Sequence, residues 1–499
     1  MKKVLLNGAL VLTISGLVCK ILGAFYRIPL SNILGAEGIG LYQMIFTFYT
    51  LALVVSGGAI PASMSISIAK MRAKQTGNVK QVFWKYFLIS LILGIAFFLI
   101  FLLFAPVISR VQGNSLATNG YKMISFAILF SSLLTSLRGL FQGYENMTPT
   151  AVSQIIEQSF KLVLGLGFAY VFKKNGVVAS VTGAILGIAI SEILSLIYLI
   201  IKSNKFYKSV DVFSKKEYFI KKDYVGIFWY VLIIPLVSAI DTFLAVNMLN
   251  IHFVPEISTA LYGIESGMVN SLINFPVIFS LALSTSLLPS LTYYKNSAKQ
   301  GVVKQKIGEC FNYIWIIILP CVLAYFVLAP VIMSVAYSNI SSEFIDVSVK
   351  LLKLASIEMV FISFLQVSSS VLQASGKTKF LIINLSASGV IKLALTAILV
   401  SLQSLNIYGL VISNIAFYCL SAISNLIMLL KIYKLKLNYK NIFLPLIFIS
   451  IIFMPCLIMG SLEINLILKL LSLALIGIVG YVVPILYFKV ILIKNKKND

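Results

Sequence analysis

The sequence predicts an all-α integral membrane protein with about fourteen transmembrane helices. The chain has 499 residues, of which 60% are hydrophobic and only 11% are charged. Its mean hydropathy is +1.00. Apolar runs of about 20 residues, the length that spans a bilayer as a helix, recur from one end of the chain to the other. The composition therefore excludes an ordinary soluble domain.

The predicted helices follow one another with short polar loops between them. Lys2 and Lys3 precede the first apolar run as in a signal peptide, but no small-residue cleavage site follows, so we expect a retained helix. Several runs are longer than a bilayer requires, which permits helix tilt. In chain order the predicted helices cover residues 6–29, 40–68, 84–108, 122–143, 150–172, 177–201, 224–249, 262–288, 309–336, 347–373, 379–401, 407–430, 441–460 and 465–491.

The basic residues of the loops lie mostly on one side of the predicted membrane. The loop at 202–223 is rich in lysine, whereas the loops after helices 3 and 5 carry little more than Arg110, Lys122, Lys173 and Lys174. Positive residues favour cytoplasmic loops, so we predict a multi-pass protein with both termini in the cytoplasm. The net charge of +24 belongs to these scattered loops, and we expect no nucleic-acid partner.

An internal repeat divides the chain into two lobes. The segment at 138–161 resembles the segment at 370–392, and one common offset aligns Lys161 with Lys392. Six helices per copy is an even number, so the copies have the same orientation and a pseudo-two-fold axis along the membrane normal. The predicted domains are an N-lobe at 1–205, a basic cytoplasmic linker at 206–223, a C-lobe at 224–432, and helices 13 and 14 with a basic tail at 433–499.

Several positively charged residues lie inside the predicted helices, where an unpaired charge costs at least about 2.5–3.5 kcal/mol at the centre of the bilayer. Lys20 and Arg27 share one face of helix 1 because they are about two turns apart. Arg138 shares a face of helix 4 with other polar side chains, and Lys392 lies in the middle of helix 11. We predict that these four residues line a cationic cavity that binds the substrate.

Acidic residues accompany these cations inside the predicted helices. Glu157 and Lys161 are four residues apart on helix 5, a spacing that predicts a self-neutralising structural pair. Asp241, Glu265 and Glu358 lie in helices 7, 8 and 10, and each is a candidate either to pair with a cation or to bind a coupling ion.

These charges indicate a transporter and not an enzyme. Two lobes beside a charged cleft suit alternating access, and a cationic cavity with low-dielectric walls favours an anion, phosphate above all. The chain has one histidine, His252, and five cysteines without metal-ligand spacing, so we predict no catalytic centre and no metal site. It has no phosphate-binding loop for ATP, so we expect no cofactor, with energy drawn from a monovalent cation gradient or from the membrane potential.

Four segments resemble one family of bacterial membrane proteins. They read CKILGAFYRIPLSNILGAEGIGLYQ from residue 19, GGAIPASMSISIAK from residue 57, RGLFQGYENMTPTA from residue 138 and FSLALSTSLLPSL from residue 279. With these segments the chain resembles the stage V sporulation protein B and polysaccharide-biosynthesis transporters of Gram-positive bacteria. They belong to the multidrug/oligosaccharidyl-lipid/polysaccharide exporter superfamily, and the resemblance covers nearly the whole chain.

This resemblance implies that the protein flips an undecaprenyl-diphosphate-linked glycan, with the peptidoglycan precursor lipid II favoured, from the inner to the outer leaflet of the bacterial cell membrane. In the related lipid II flippase family, basic residues of the first helix line a central cavity, and Lys20 matches the first of them. That family also has a cation in helix 8, where this chain has Glu265 instead. Its last two helices form a groove for the lipid tail, a role implied here for helices 13 and 14.

The resemblance also implies partners and leaves two other functions open. The expected partners are a lipid-linked anionic glycan, membrane lipids and cell-wall synthesis proteins, with the protein acting as a monomer in cell shape or sporulation. A cation-coupled multidrug antiporter of the same superfamily is one alternative, and Glu157 and Glu192 are acids that would serve it. A membrane scaffold of a cell-wall or sporulation complex is the other, although a scaffold does not need charges buried inside the membrane.

Overall fold

A computed structural model of the chain describes residues 2–208, 211–212, 221–296, 300–338, 341–433, 439–461 and 466–484. Within these ranges the backbone is helical, apart from short turns and one isolated β-bridge between Asn78 and Val212. The prediction of an all-α fold is therefore confirmed. Most of the predicted linker at 206–223 and the basic tail beyond residue 484 lie outside the described residues.

Seventeen α-helices follow one another along the described chain. Local sequence explains some of their ends. The Asn78 side chain accepts a hydrogen bond from the Gln81 amide and caps the helix that follows, and Pro255 occupies the first turn of another. The helices are α1 (Lys2–Leu53), α2 (Ile60–Lys74), α3 (Val79–Leu103), α4 (Ala105–Val111), α5 (Thr118–Gly143), α6 (Met147–Phe172), α7 (Val177–Lys208), α8 (Lys221–Leu249), α9 (Pro255–Gly263), α10 (Asn270–Asn296), α11 (Gln300–Ala336), α12 (Ser342–Ala355), α13 (Glu358–Ala374), α14 (Thr378–Ser401), α15 (Ile407–Tyr433), α16 (Tyr439–Ser461) and α17 (Leu466–Gly477).

Ten helical segments of the described chain are long and apolar enough to cross a membrane. These ten segments correspond to eleven predicted helices, namely helices 1 to 9, 11 and 12. The numbers differ because helices 1 and 2 both fall in the single segment Val11–Lys74. Predicted helix 10 is interrupted at Ser356 and forms α12 and α13, while helices 13 and 14 correspond to α16 and α17. Each predicted helix thus has a helical counterpart in the described chain.

The loop predicted between helices 1 and 2 is reduced to a break at Gly35. This residue has φ 72° and ψ −176°, a conformation that glycine adopts readily, and α1 continues on both sides of it. Two π-helical turns, Val54–Gly58 and Ile264–Val269, follow α1 and α9. Such turns are rare and occur often at functional sites, so each of these two turns marks a candidate functional region.

The chain divides into two compact units. The first unit comprises Met1–Ser271 and Leu385–Leu410, and the second comprises Leu272–Asn384 and Val411–Asp499. The predicted N-lobe and C-lobe are defined by the internal repeat instead, and they stay a prediction. All of the predicted site residues except Glu358 fall in the first unit.

Small residues allow the helices of the first unit to pack closely. The helices α6 and α7 meet at Gly165 and Gly187, where a Cβ added to Gly187 would lie 2.4 Å from the Gly165 nitrogen. Elsewhere in the first unit, Tyr86 of α3 and Phe141 of α5 are among the largest fully buried side chains. They belong to one hydrophobic cluster that joins α2, α3, α5 and α7. This packing holds α6 and α7, which carry several of the charged residues considered below.

A second close approach joins α1 to α9 within the same unit. A Cβ added to Gly40 would lie 2.0 Å from the Thr259 carbonyl oxygen, and one added to Gly263 would lie 2.3 Å from the Ala36 carbonyl oxygen. The two glycines therefore bring the two backbones into direct contact. This contact fixes the position of the second half of α1, which carries the aromatic residues of the candidate site.

The second unit is held by an apolar cluster and by polar contacts between helices. Leu323, Ile452 and Tyr481 form a buried cluster, and the Tyr481 hydroxyl donates a hydrogen bond of 3.1 Å to the Ile316 carbonyl. Elsewhere in this unit, the side-chain amide of Asn425 donates to the hydroxyl of Ser369 at 3.0 Å. Such hydrogen bonds replace those that water would make in a soluble protein.

We predict that Gly40→Val destabilises the protein by at least about 1–3 kcal/mol, because the added atoms overlap the α9 backbone. Thermal unfolding of the purified protein in detergent measures the effect. Gly167→Val is the matched control, since nothing lies within 4 Å of a Cβ placed at Gly167. Equal melting temperatures for the two variants would show that the close approach does not stabilise the fold.

Candidate functional site

Two of the predicted cavity cations lie on the first half of α1. Lys20 has an exposed side chain, and it forms no hydrogen bond or ion pair with the residues that the structure describes. Arg27 is partly buried, and its guanidinium carbon lies 6.0 Å from the centre of the Phe46 ring. The face of an aromatic ring attracts a cation without neutralising its charge. Both side chains therefore keep their positive charge available to a ligand.

Lys161 approaches the same ring from α6. Its ammonium nitrogen lies 4.5 Å from the centre of the Phe46 ring and 5.5 Å from that of Tyr26. Arg27 and Lys161 therefore meet at one aromatic side chain. We call Arg27, Lys161, Phe46 and Tyr26 the Phe46 cluster.

The aromatic members continue along one face of α1. The rings of Tyr42 and Phe46 are stacked with centroids 5.6 Å apart, and those of Phe46 and Tyr49 are 5.7 Å apart. Sequence reasoning missed these aromatic residues. The signal was present, because Tyr42, Phe46 and Tyr49 recur at the spacing that places side chains on one helical face. In an apolar helix this spacing is also typical of aromatic residues that only pack against neighbouring helices. The positions of Arg27 and Lys161 are what distinguish a binding face from a packing face here.

The predicted pair of Glu157 and Lys161 is wrong. The Glu157 carboxylate instead accepts a hydrogen bond of 2.8 Å from the Arg138 guanidinium, and the Nε of Arg138 donates to the Ser153 hydroxyl at 2.9 Å. A guanidinium has several donors in a fixed plane and can bind both acceptors of α6 at once, which a lysine four residues away cannot do. Arg138, a predicted cavity cation, is thereby neutralised.

Lys392 is also held in an ion pair. Its ammonium lies 2.9 Å from the Asp241 carboxylate of α8, and both side chains are about nine-tenths buried. Thr396, one turn further along α14, donates a hydrogen bond of 2.7 Å to the same carboxylate. The sequence predicted that Asp241 either pairs with a cation or binds a coupling ion, and the structure gives it a cation partner. The Asp241 carboxylate in turn compensates much of the Lys392 charge.

The other two predicted acids lie at helix junctions. Glu265 is buried in the π-helical turn after α9, and its carboxylate accepts a hydrogen bond of 3.1 Å from the Asn270 side chain. The neighbouring Ser266 carbonyl accepts a hydrogen bond of 2.7 Å from Gln43. Glu358 is buried at the first position of α13 in the second unit, where the positive end of the helix favours a carboxylate. Their predicted role in ion coupling stays a prediction.

A buried acid outside the predicted site stands next to the aromatic face. Glu192 of α7 has only 3% of its surface exposed, and its carboxylate accepts a hydrogen bond of 2.9 Å from the Tyr49 hydroxyl. Within the described part of the chain, its second oxygen has no hydrogen-bond partner. The sequence identified Glu192 as an acid inside a predicted helix that would serve an antiporter, but nothing in its own helix shows that Tyr49 faces it.

A cavity of about 660 Å³ lies elsewhere in the first unit, between α3, α5, α7 and the end of α6. Its lining includes Leu102, Lys122 and Phe126, and the predicted cavity cations are not among its lining residues. The candidate site is therefore defined by its charges and aromatic rings and not by this cavity.

Comparison with known proteins supports a family assignment. The family model described as polysaccharide biosynthesis protein matches residues 5–295 of this chain. The chain belongs to this family. Lipid II flippase MurJ of Bacillus subtilis is 27% identical over 482 residues, which cover 90% of this chain and 87% of the relative. Stage V sporulation protein B of the same organism is 26% identical over 357 residues, which cover 68% of each chain.

Solved structures show the same fold. Lipid II flippase MurJ in an inward closed conformation matches with a TM-score of 0.71 and 18% identity, covering 97% of this chain and 100% of that one. A multidrug resistance MATE family transporter of the MOP superfamily, in an inward-facing conformation, matches with a TM-score of 0.68 and 14% identity over 83% and 95% of the chains. The predicted family resemblance is confirmed, and the chain is a multi-pass membrane transporter of this type, not an enzyme.

We predict that Lys392→Met strongly destabilises the protein, because it leaves the Asp241 carboxylate buried without its cation. Breaking a buried pair in this way typically costs about 3–5 kcal/mol. The double variant Asp241→Asn with Lys392→Met should recover most of that loss, since neither charge then remains. Thermal unfolding of the purified variants measures both effects. A double variant no more stable than Lys392→Met would argue against the ion pair.

Proposed function

We propose that this protein is a flippase that moves an undecaprenyl-diphosphate-linked glycan, lipid II in particular, from the inner to the outer leaflet by alternating access. The observation that carries this proposal is the convergence of Arg27 and Lys161 on Phe46, with Lys20 two turns away on the same helix. A diphosphate is the lipid-linked group that such a set of cations would recognise.

The distribution of ion pairs refines which cations bind the diphosphate. Arg138 and Lys392 already have carboxylate partners, so their attraction for a ligand is largely offset. Lys20, Arg27 and Lys161 contact no carboxylate of the described chain within ion-pair distance. We therefore assign the phosphate contacts to these three residues and leave a positioning role to Arg138 and Lys392.

The relatives support the substrate class. One is named a lipid II flippase and another a stage V sporulation protein. We accordingly place this protein in the bacterial cell membrane with both termini in the cytoplasm, as the loop lysines predict. Its proposed partners are the lipid-linked glycan, membrane lipids and cell-wall synthesis proteins, and its proposed state is a monomer.

The energy source follows from the charge of the substrate. Moving a negative charge out of a cell with a negative interior is favourable by about 2.3 kcal/mol for each 100 mV of membrane potential. A diphosphate-linked lipid carries such charge, so the potential by itself favours export. The proposal therefore requires no ATP and no resident cofactor.

A multidrug antiporter is the second candidate, because the fold is shared with a multidrug resistance transporter and the first unit contains the buried acid Glu192. Such an antiporter binds cationic compounds, for which the two cations beside Phe46 and the nearby Lys20 are unfavourable. The two candidates therefore differ in the sign of the charge that they bind.

We predict that Lys20→Ala and Arg27→Ala each reduce the outward movement of lipid II by about tenfold or more. A charged hydrogen bond contributes about 1.5–3 kcal/mol, and 1.4 kcal/mol corresponds to a factor of ten. The measurement is labelling of lipid II with a membrane-impermeable reagent in cells that depend on this protein for flipping.

Lys173→Ala is the matched control, because Lys173 is exposed in the short turn after α6 and outside the candidate site. If Lys20→Ala and Arg27→Ala are present at normal protein levels and lipid II labelling is unchanged, these cations do not bind the diphosphate of the substrate. If depletion of the protein causes a different lipid-linked glycan to accumulate, that glycan and not lipid II is the substrate.

A further inference from the structure

We propose that the Glu192 carboxyl is a proton-binding site linked to the anion site at the Phe46 cluster. The site lies between α7 and α1, within the first unit. The linkage rests on the proposed function, because it assumes an anionic ligand, whereas the proton site itself stands on the geometry of Glu192.

Burial is the first argument. Glu192 is 3% exposed, one of its oxygens accepts a hydrogen bond from Tyr49, and the other has no hydrogen-bond partner among the described residues. Glu192 also forms no ion pair with any described residue. An ionised carboxylate that is buried with so little compensation is unfavourable, and such groups usually become neutral by binding a proton.

The surroundings explain why the ligand is a proton and not a metal ion. The charged and titratable groups that face Glu192 from the packed helices are Tyr49 of α1, Arg138 of α5, and Glu157 and Lys161 of α6. Glu157 is the one further carboxylate among these groups, and the Arg138 guanidinium already pairs with it. A metal ion needs several oxygen ligands, whereas a proton needs one oxygen, and Glu192 offers an unoccupied one.

A short chain of contacts connects this carboxyl to the anion site. Tyr49, which donates to Glu192, packs against Phe46 with ring centroids 5.7 Å apart. Phe46 is the ring on which Arg27 and Lys161 converge. Neutralising Glu192 therefore removes a negative charge that faces Lys161, one of these two cations, and strengthens the attraction of the cluster for an anion.

Thermodynamic linkage gives the reverse effect. If protonation of Glu192 tightens anion binding, anion binding must favour protonation of Glu192 by the same factor. We therefore expect the protein to take up a proton, from solvent, when a diphosphate binds. We also expect anion affinity to fall as the pH rises, because the carboxylate then regains its negative charge.

The proton site is tested on the full chain in lipid nanodiscs by infrared difference spectroscopy during a pH titration. We expect a carbonyl band of a protonated carboxylic acid that is lost in Glu192→Gln and kept in the control Glu256→Gln, which changes an exposed acid in the first turn of α9. Tyr49→Phe should shift this band, because the variant removes the hydrogen bond to Glu192. This second variant tests the proposal even if Glu192→Gln does not fold. A titration with no band sensitive to these variants, or a band that responds only to sodium, overturns the proposal.

The linkage is tested with farnesyl diphosphate as the anionic probe. We expect wild-type affinity to fall roughly tenfold from acidic to alkaline pH, within the range typical of coupled sites. The affinity of Glu192→Gln should fall by a clearly smaller factor than that of the wild type, once the titration of the probe itself is subtracted. Equal pH dependence in both proteins overturns the linkage. Failure of wild-type protein to bind the probe at any pH would instead contradict the proposed function, and the infrared result would still decide the proton site.

Discussion

The attraction between cations and the Phe46 ring is the interaction on which the candidate site depends. An aromatic face holds Arg27 and Lys161 in place without cancelling their charge, as a carboxylate would. The ring can do this only because α1 and α6 are packed against each other and because Gly35 lets α1 turn between Arg27 and Phe46. A polar site inside a membrane is thereby kept positive, and a positive site can bind an anion.

Two other cations of the first unit have carboxylate partners. Arg138 joins α5 to α6 through Glu157 and Ser153, and Lys392 joins α14 to α8 through Asp241. Each pair satisfies charges that would otherwise be costly in a low-dielectric interior. The charged residues therefore separate into two groups with different tasks: paired ones that hold helices together and unpaired ones beside the aromatic face.

Glycine contacts set the geometry around this arrangement. Gly40 and Gly263 allow α1 and α9 to touch, and Gly165 and Gly187 do the same for α6 and α7. Because hydrophobic burial gives little drive between helices in lipid, such close packing and the interhelical hydrogen bonds are what hold them. The same packing buries Glu192 against Tyr49, and the rings of Tyr49 and Phe46 connect this titratable group to the two cations.

The sequence by itself determined the helical membrane fold, its family, and which charges lie within the apolar helices. Apolar length depends only on residues near each other in the chain, so the position of each helix could be predicted, with Lys20 and Arg27 on the first of them. The fourteen predicted helices correspond to seventeen α-helices in the described chain, because packing breaks some of them. Only the tertiary structure decided which charges are paired. Helical spacing predicted Lys161 as the partner of Glu157, because the two residues are four positions apart. A single pair at this spacing contributes only about 0.2–0.5 kcal/mol, so tertiary packing can override it. In the structure Arg138 of another helix binds Glu157 instead. Partners such as Asp241 and Tyr49 are distant in the chain, and packing alone brings them to Lys392 and Glu192.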